Sequence, residues 1–426
     1  MSTQSTPSIL LTHRSPQQGF RLLELPPELA ELLSSDDPPT LELKSPAPST
    51  TNTSTGTADY VNLCTATQTY SIRQVQSSNS LHILRPSNGV SVRKGDLKIV
   101  AGNTDDDGDG ENVDMDMDMD AEGGKDRDLN LNVKGTVTSI AKCASMLELH
   151  KPAEGFSAMP FLGKLVRVFD QGAWEDMNWG ESGDEGIISS KATKKTREIL
   201  DRLFADVPVS RAQCERKWIE MCAFVLLSPA ATEGKAPASF CWRPSAEMRL
   251  DVWKRVVEGA VLQGIDLEKQ FLVSDLWKSV LDDDGAAPFP RQLFEAVVRR
   301  ICELGDGVER AALSEMKWAG IVKEACVRWV GETYLEAMAT GSASAIGESE
   351  FLNAWKDRLP ESWRDVSIAI LPETCYMHPE PRTICFATEA DRQKAKNLPS
   401  ETSAATAAKK TRNWHELFKN QKRQKR

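Results

Sequence analysis

Apolar positions along this chain keep two different periods. Up to about residue 185 they recur at every second position, as in Leu41 and Leu43, Tyr70 and Ile72, or Leu81 and Ile83. That is the period of a strand with one buried face. From about Thr193 the period lengthens to that of a helix, so that Ile199, Leu200, Leu203 and Phe204 fall on one face. The front half is predicted to open with a strand in "FRLLEL" and a short helix from Pro26–Pro27, because proline is tolerated in a first helical turn. "PTLELK" follows, then two strands, "YVNLCTATQTYSIRQV" and "SNSLHILRPS", joined by a turn at "SSNS". With "LKIVAG", "LNLNVKGTVTSIAKC" and "MLELH", they predict a barrel or curved sheet carrying one flexible insertion.

The helical half divides into similar paragraphs. "TKKTREILDRLFADV" reads as a helix, and Ser210 is placed to cap a second helix running through Leu226. A Pro/Ala/Gly loop and a strand in "SFCWR" come next. Helix, turn, helix, loop, strand is the order of a winged helix. "SAEMRLDVWKRVVEGAVLQG", a capped "SDLWKSVL" and "RQLFEAVVRRICEL" repeat that order, as do "IVKEACVRWVGETYLEAM", "SEFLNAWKDRLP", "SWRDVSIAIL" and a hairpin in "TCYMHPEPRTICFA". Phe271–Leu281, "FLVSDLWKSVL", and Phe351–Pro360, "FLNAWKDRLP", carry Trp and Lys in the same order, and "VSRAQCERKWIEMC" is a weaker third version. Trp218, Trp277 and Trp355 therefore read as core anchors of a repeated three-helix unit.

The expected fold class is α+β and multidomain, an N-terminal β-barrel-like domain followed by tandem winged-helix domains. The boundaries read as a disordered N-terminus at 1–18, a β-rich partner-binding domain at 19–185 with an acidic disordered insert at 103–128, winged helices at 190–244, 245–320 and 321–390, and a basic tail at 391–426.

Charge changes that picture only locally. The net −10 of the chain is matched by residues 103–128 alone, with twelve carboxylates against Lys125 and Arg127. The tail 409–426 carries eight Lys or Arg against Glu416. The remainder is mildly acidic, which excludes bulk attraction to nucleic acid and leaves local patches. Asp105, Asp107, Asp109 and Gly110 match the first half of a calcium-binding loop, but Asp116 stands where a bidentate Glu is needed and Asn112 where an apolar residue anchors the loop. A solvated acidic insertion is the reading. Nine scattered cysteines without a CxxC pair point to a reducing compartment. No stretch approaches the ~20 apolar residues of a membrane span, and the first residues lack the pattern of a secretory signal.

Catalytic constellations are not apparent. His13, His82, His150, His378 and His415 are dispersed, and no metal, nucleophile-elbow or phosphate-loop motif occurs. The expectation is a protein that is not an enzyme and takes no cofactor. A winged helix brings one helix to the major groove and its wing to the phosphates, so exposed basic residues there are candidates for backbone contact. They are Arg211, Arg216 and Lys217; Arg291, Arg299 and Arg300; and Lys356, Arg358, Arg364 and Arg382. Glu215, Glu295, Asp357 and Asp365 dilute each patch, so solvated or protein-docking faces stand beside the DNA reading. In the tail, Lys409, Lys410, Lys422, Arg423, Lys425 and Arg426 form a candidate nuclear-import signal, and Trp414, Leu417 and Phe418 share a helical face that can dock into a groove.

Three blocks carry a family resemblance: "RLLELPPELAELL", "NLCTATQTYSIRQVQSSNSLHIL" and "EFLNAWKDRLP". They resemble the Dcc (defective in sister chromatid cohesion) family, whose strand pair is matched by Leu63–Cys64–Thr65, Thr69–Tyr70 and Ser78–Asn79–Ser80–Leu81, with Ser80 extra. The resemblance implies a non-catalytic subunit of an alternative replication factor C clamp loader, acting in the nucleus in sister chromatid cohesion. It implies that the front domain pairs with a small β-rich partner subunit and the C-terminal end of the large clamp-loader subunit. It also implies that the winged helices engage DNA and the catalytic subunit of DNA polymerase epsilon. Leu63, Tyr70, Ile72, Leu81 and Ile83 are the expected partner-facing strand residues. The competing reading is a winged-helix transcription or chromatin subunit.

Overall fold

The computed structural model describes residues 8–13, 16–46, 60–86, 133–153, 155–176, 190–227, 239–302, 316–388 and 391–392. The acidic insert, the "LKIVAG" strand and the basic tail read from the sequence lie outside the described residues. In chain order the elements are β1 (Ser8–His13), β2 (Leu22–Glu24), α1 (Pro27–Leu33), β3 (Glu42–Lys44), β4 (Asn62–Cys64), β5 (Thr69–Pro86) and β6 (Val133–His150). Next come α2 (Met159–Leu165), β7 (Arg167–Phe169), α3 (Gln171–Asp176), α4 (Ser190–Ala205), α5 (Arg211–Glu220), β8 (Phe224–Leu227) and β9 (Ser239–Pro244). Then follow α6 (Ala246–Gln263), β10 (Phe271–Leu272), α7 (Val273–Val280), α8 (Arg291–Ile301) and β11 (Trp318–Ala319). The last are α9 (Lys323–Met338), β12 (Ile346–Gly347), α10 (Glu348–Asp357), β13 (Tyr376–Met377) and β14 (Thr383–Phe386). The architecture is mixed α/β, with ten α-helices among the described residues.

The chain divides into two compact units, Met1–Pro38 with Tyr70–Lys151, and Pro39–Thr69 with Pro152–Arg426. The first is built on β6. There β5 runs antiparallel to β6 from Ser71↔His150 to Pro86↔Val137, while β1 and β2 pair with β6 in parallel. Ser8–His13, read from the sequence as part of a disordered terminus, is a strand because its own "SILLTH" run finds that edge. The expected barrel is not formed. Among the described residues no sheet closes on itself, and β1 ends the strand path with β6 as its single neighbour. Alternation dictates which face of a strand is apolar; closure depends on strand number, tilt and stagger, which alternation does not encode.

The "SSNS" segment is not a turn either, because β5 passes through it without reversing. Gln76 faces Ser145 and Leu81 faces Cys143, so five steps along β5 match two along β6 and the extra residues form a bulge. An odd excess of three changes parity. Ile72, Leu81 and Ile83 consequently oppose Leu149, Cys143 and Ala141 and share one face of the sheet. The bulge keeps the apolar set together where an unbroken strand would have split it.

In the second unit, the early hairpin β3–β4, with Leu43 opposite Leu63, is sewn to the ends of α4 and α5. Lys44 Nζ donates to the Phe204 and Val209 carbonyls, 3.3 Å each, and Asn62 Nδ2 donates to the Pro208 carbonyl at 2.7 Å. Ser210 caps α5 as predicted, through a reciprocal box with Gln213. The helix ends at Glu220, short of the predicted Leu226. Cys222 takes a left-handed conformation, φ 50°, and Phe224–Leu227 pair with β9.

Two three-stranded sheets share the order first–third–second, β7-β9-β8 and β12-β14-β13, and between them in sequence lies the two-stranded sheet β10-β11, with an isolated bridge from Cys302 to Ile321. The last two repeats match at residue level. Phe271 and Leu272 face Ala319 and Trp318, as Ile346 and Gly347 face Ile384 and Thr383. The first helical residue then donates its N–H to the carbonyl before the third strand, Val273 to Lys317 at 3.0 Å and Glu348 to Arg382 at 2.9 Å. That bond, rather than a side-chain cap, starts α7, so the predicted Ser274 cap is absent.

This register realigns the tryptophan repeat. Phe271 is a strand residue and Phe351 a helical one, so the slots equivalent to Leu276 and Val280 of α7 are Phe351 and Trp355 of α10. All four are buried. Trp277 lies one position off and packs at 5.1 Å from Phe294 and 6.3 Å from Phe289. Trp355 donates its indole N–H to the Val327 carbonyl at 3.0 Å, which removes the cost of burying it. Two hydrophobic clusters carry the unit. One is centred on Leu200, Phe204, Val209 and Trp218, and the other extends from Phe169 and Trp242 through α6–α10, where Trp253 stacks on Trp363 at 6.3 Å.

Candidate nucleic-acid and partner-contact surfaces

Each candidate basic residue has a definite position. On α5, Arg211 is held by Asp201 at 2.5 Å and Glu215 at 2.6 Å and lies over the Phe204 ring at 4.9 Å. Its guanidinium pKa is raised because the two carboxylates outweigh desolvation, the largest opposing cause. Lys217 pairs with Glu220 at 2.6 Å, and Arg216 is exposed. On α8, Arg291 pairs with Glu295 at 2.9 Å. Arg299 and Arg300 turn partly inward, and burial pushes the Arg299 guanidinium below its usual value. In the third repeat Arg358 lies 4.3 Å over the Tyr334 ring and donates to the Ala354 carbonyl at 2.8 Å. Lys356 is half-buried, while Arg364 and Arg382 are exposed.

The ten candidates thus sort by prior commitment. A charge already paired and half-buried cannot reach a phosphate without abandoning its partner, whereas Arg216 and Arg382 are exposed and Arg364, also exposed, is held by a bond from its Nε to the Leu359 carbonyl at 3.2 Å. Arg382 is distinctive in a second respect: it takes φ 68°, a left-handed conformation uncommon for a residue with a side chain. It closes the turn between β13 and β14, and its carbonyl accepts from the Glu348 N–H. Lys317 occupies the same place in the second repeat and is exposed. Reading the sequence missed it, since the equivalence rests on strand register and not on a shared motif.

The partner-facing strand residues divide as well. Leu63 and Tyr70 are buried, at 4% and 3% exposure; Ile72 and Ile83 are half-buried; and Leu81 is 45% exposed, near Leu84 at 49%. Lys151 lies 5.0 Å over the Tyr70 ring and pairs with Glu28 at 2.7 Å, and that carboxylate raises the Lys151 pKa. The import candidates Lys409, Lys410, Lys422, Arg423, Lys425 and Arg426 lie outside the described residues.

Chemistry-bearing side chains do not converge. Among the described residues no group of three or more His, Cys, Asp or Glu is placed to hold a metal ion, and no helix is long and apolar enough to cross a membrane. Eight of the nine cysteines are buried, and burial pushes the thiols of Cys214 and Cys302 up to about 12, far from nucleophilic range.

Comparison with known proteins agrees with the motifs. No curated protein matches the chain. The family model described as sister chromatid cohesion protein Dcc1 matches residues 20–403, nearly its whole length. The chain belongs to the Dcc1 family, and membership implies a role in sister chromatid cohesion.

Proposed function

We propose that this protein is a non-catalytic subunit of an alternative replication factor C clamp loader. It links the loader to the catalytic subunit of DNA polymerase epsilon and to replication-fork DNA in the nucleus, supporting sliding-clamp loading. The observation that carries the reading is a cohesion-family match over residues 20–403 on a chain whose second unit has two three-stranded sheets of one strand order and the pair β10-β11 in register with the second of them. First–third–second after a helical pair is the order of a winged helix, and tandem winged helices are a scaffold for docking rather than a catalytic fold. The half-open apolar face with Ile72, Leu81 and Ile83 is where the small β-rich subunit and the C-terminal end of the large subunit would add strands. DNA contact is assigned to phosphates through Arg216, Lys317, Arg364 and Arg382, since isolated arginines position a protein on the backbone without reading bases.

Affinity purification of the full chain from native extract, read by mass spectrometry, tests this. Clamp-loader subunits and a replicative polymerase are the expected companions. Recovery of a promoter-binding assembly in their place would overturn the reading in favour of a transcription or chromatin subunit.

A further inference from the structure

The second unit exposes an apolar surface that the proposed function does not use. At the C-terminal end of α6, Val261 and Leu262 are 74% and 83% exposed, and Trp318 on β11 is 63% exposed. An open cleft of about 300 Å³ begins at Ile265, just past that helix end, and is lined by Phe271, Leu272 and Trp318 with Asp266, Asp275, Lys269 and Gln270. Ile265 follows Val261 and Leu262 directly after the helix ends at Gly264, whose φ of 65° turns the chain back toward β10. Large apolar side chains gathered around a concavity and rimmed by charge mark a docking site rather than scattered exposure.

The charged groups of the lining are Asp266 and Asp275 against Lys269, and the stretch of chain that supplies them is acidic. Residues 264–284 carry six carboxylates (Asp266, Glu268, Asp275, Asp282, Asp283, Asp284) against Lys269 and Lys278. Asp266 pairs with Lys269 at 2.9 Å and Asp275 with Lys278 at 3.5 Å. Both are surface pairs of residues three positions apart, each worth at most about 1 kcal/mol, so a denser basic ligand can replace the lysines.

The chain itself contains a segment of the complementary chemistry. Trp414, Leu417 and Phe418 recur at i, i+3 and i+4, and eight Lys or Arg surround them in 409–426 against Glu416. Arg392, the last described residue, is 22 positions before Trp414. Twenty-two residues reach about 70 Å when extended, and a flexible tether of that length holds its end at roughly millimolar local concentration.

We propose that the cleft beside Trp318 is the docking site of the chain's own C-terminal segment. Trp414 packs against Trp318 in the cleft, and the basic run of the tail lies along Asp266 and Asp275. Docking of this kind covers the apolar surface until a competitor with a similar aromatic and basic signature displaces the tail. The inference stands independently of the clamp-loader reading.

Hydrogen exchange on the full chain and on a chain ending at residue 408 tests it. In the full chain the amides of Phe271, Leu272 and Ala319 are expected to exchange about tenfold more slowly than in the truncated one. Adding peptide 409–426 to the truncated chain restores the protection, and the same peptide with Trp414→Ala and Phe418→Ala does not. Trp318→Ala in the full chain removes the protection without unfolding, since that side chain is already mostly in water. Equal exchange in the two chains, protection at another surface, or protection that appears only when a second protein is added would each overturn the proposal.

Discussion

Thr69 and Gln213 are 144 positions apart in sequence, and the Thr69 hydroxyl donates to the Gln213 Oε1 at 2.5 Å. The same hydroxyl accepts the Ser210 backbone N–H at 2.7 Å. The capping box that starts α5 is therefore completed by a residue from the early segment, and the Ala212 N–H donates to the Ala66 carbonyl at 3.0 Å beside it. The first helical pair of the second unit is not a local structure. The Ser210 and Ala212 N–H groups gain their short bonds only when the segment 65–69, directly after β4, has returned to it.

Thr69→Val keeps the shape of the side chain and leaves the buried Ser210 N–H with one long contact to Gln213. A loss of about 1–2 kcal/mol is expected in denaturant unfolding of the full chain. Thr69→Ser retains the hydroxyl and is expected to keep most of the stability. Equal losses in the two variants would point to packing of the threonine methyl instead.

Gly331 lies against the ring of Trp355. A methyl group there would stand 2.7 Å from Cε2 and 3.0 Å from a Leu371 methyl, too close for any rotamer adjustment of a fully buried indole. Gly331→Ala is expected to cost at least about 1–3 kcal/mol, the usual penalty of overpacking. Gly172→Ala, in α3, meets nothing closer than the Asp170 carboxylate at 3.6 Å and is expected to be neutral or slightly stabilising. Thermal unfolding of the pair checks the contrast.

Arg382 offers a test in which binding and stability move oppositely. Arg382→Gly removes an exposed charge and relieves a left-handed φ, so DNA binding is expected to weaken while stability holds or rises by up to about 1 kcal/mol. Arg364→Glu is expected to weaken binding and lower the slope of log K against log salt by about one. Arg211→Glu should instead destabilise the fold, because it sets a carboxylate against Asp201 and Glu215. Salt titrations alongside unfolding curves separate the three.

The buried thiols set an alkaline limit. Burial raises Cys214 and Cys302 to about 12 and Cys222 to about 11, against about 8.5 in an unfolded chain. Above pH 8.5 the unfolded state releases these protons and the folded state keeps them, so stability falls as pH rises toward the folded values. Each thiol contributes a loss of about 1.4 kcal/mol per pH unit over that window, as an upper bound. Unfolding at pH 7.5 and pH 10 measures it, with the effect reduced in a Cys214→Ala, Cys222→Ala, Cys302→Ala variant and the remainder carried by Cys241, Cys326 and Cys375, whose thiols burial raises as well.

Much of the local structure was legible in advance. Proline at the start of α1, Ser210 before α5 and the apolar faces of α4 and α10 act through neighbours three or four residues away, and those neighbours are visible in the sequence. The candidate cations were legible only as residues. Arg211 and Arg358 differ from Arg364 and Arg382 through ion pairs and ring contacts that partners elsewhere in the fold supply.

By itself the sequence determined the strand and helix periods, the starts of α1 and α5, the cohesion-family blocks and the acidic and basic extremes of the chain. Tertiary structure alone decided that "SSNS" bulges instead of turning, that residues 39–69 return to α4 and α5, and that Trp355 is equivalent to Val280 rather than to Trp277. The reason is the range of the forces. Amphipathic faces and the Ser210–Gln213 pair are settled within one helical turn, whereas the start of α7, strand register, sheet closure and repeat alignment depend on which distant groups find each other once the chain has folded.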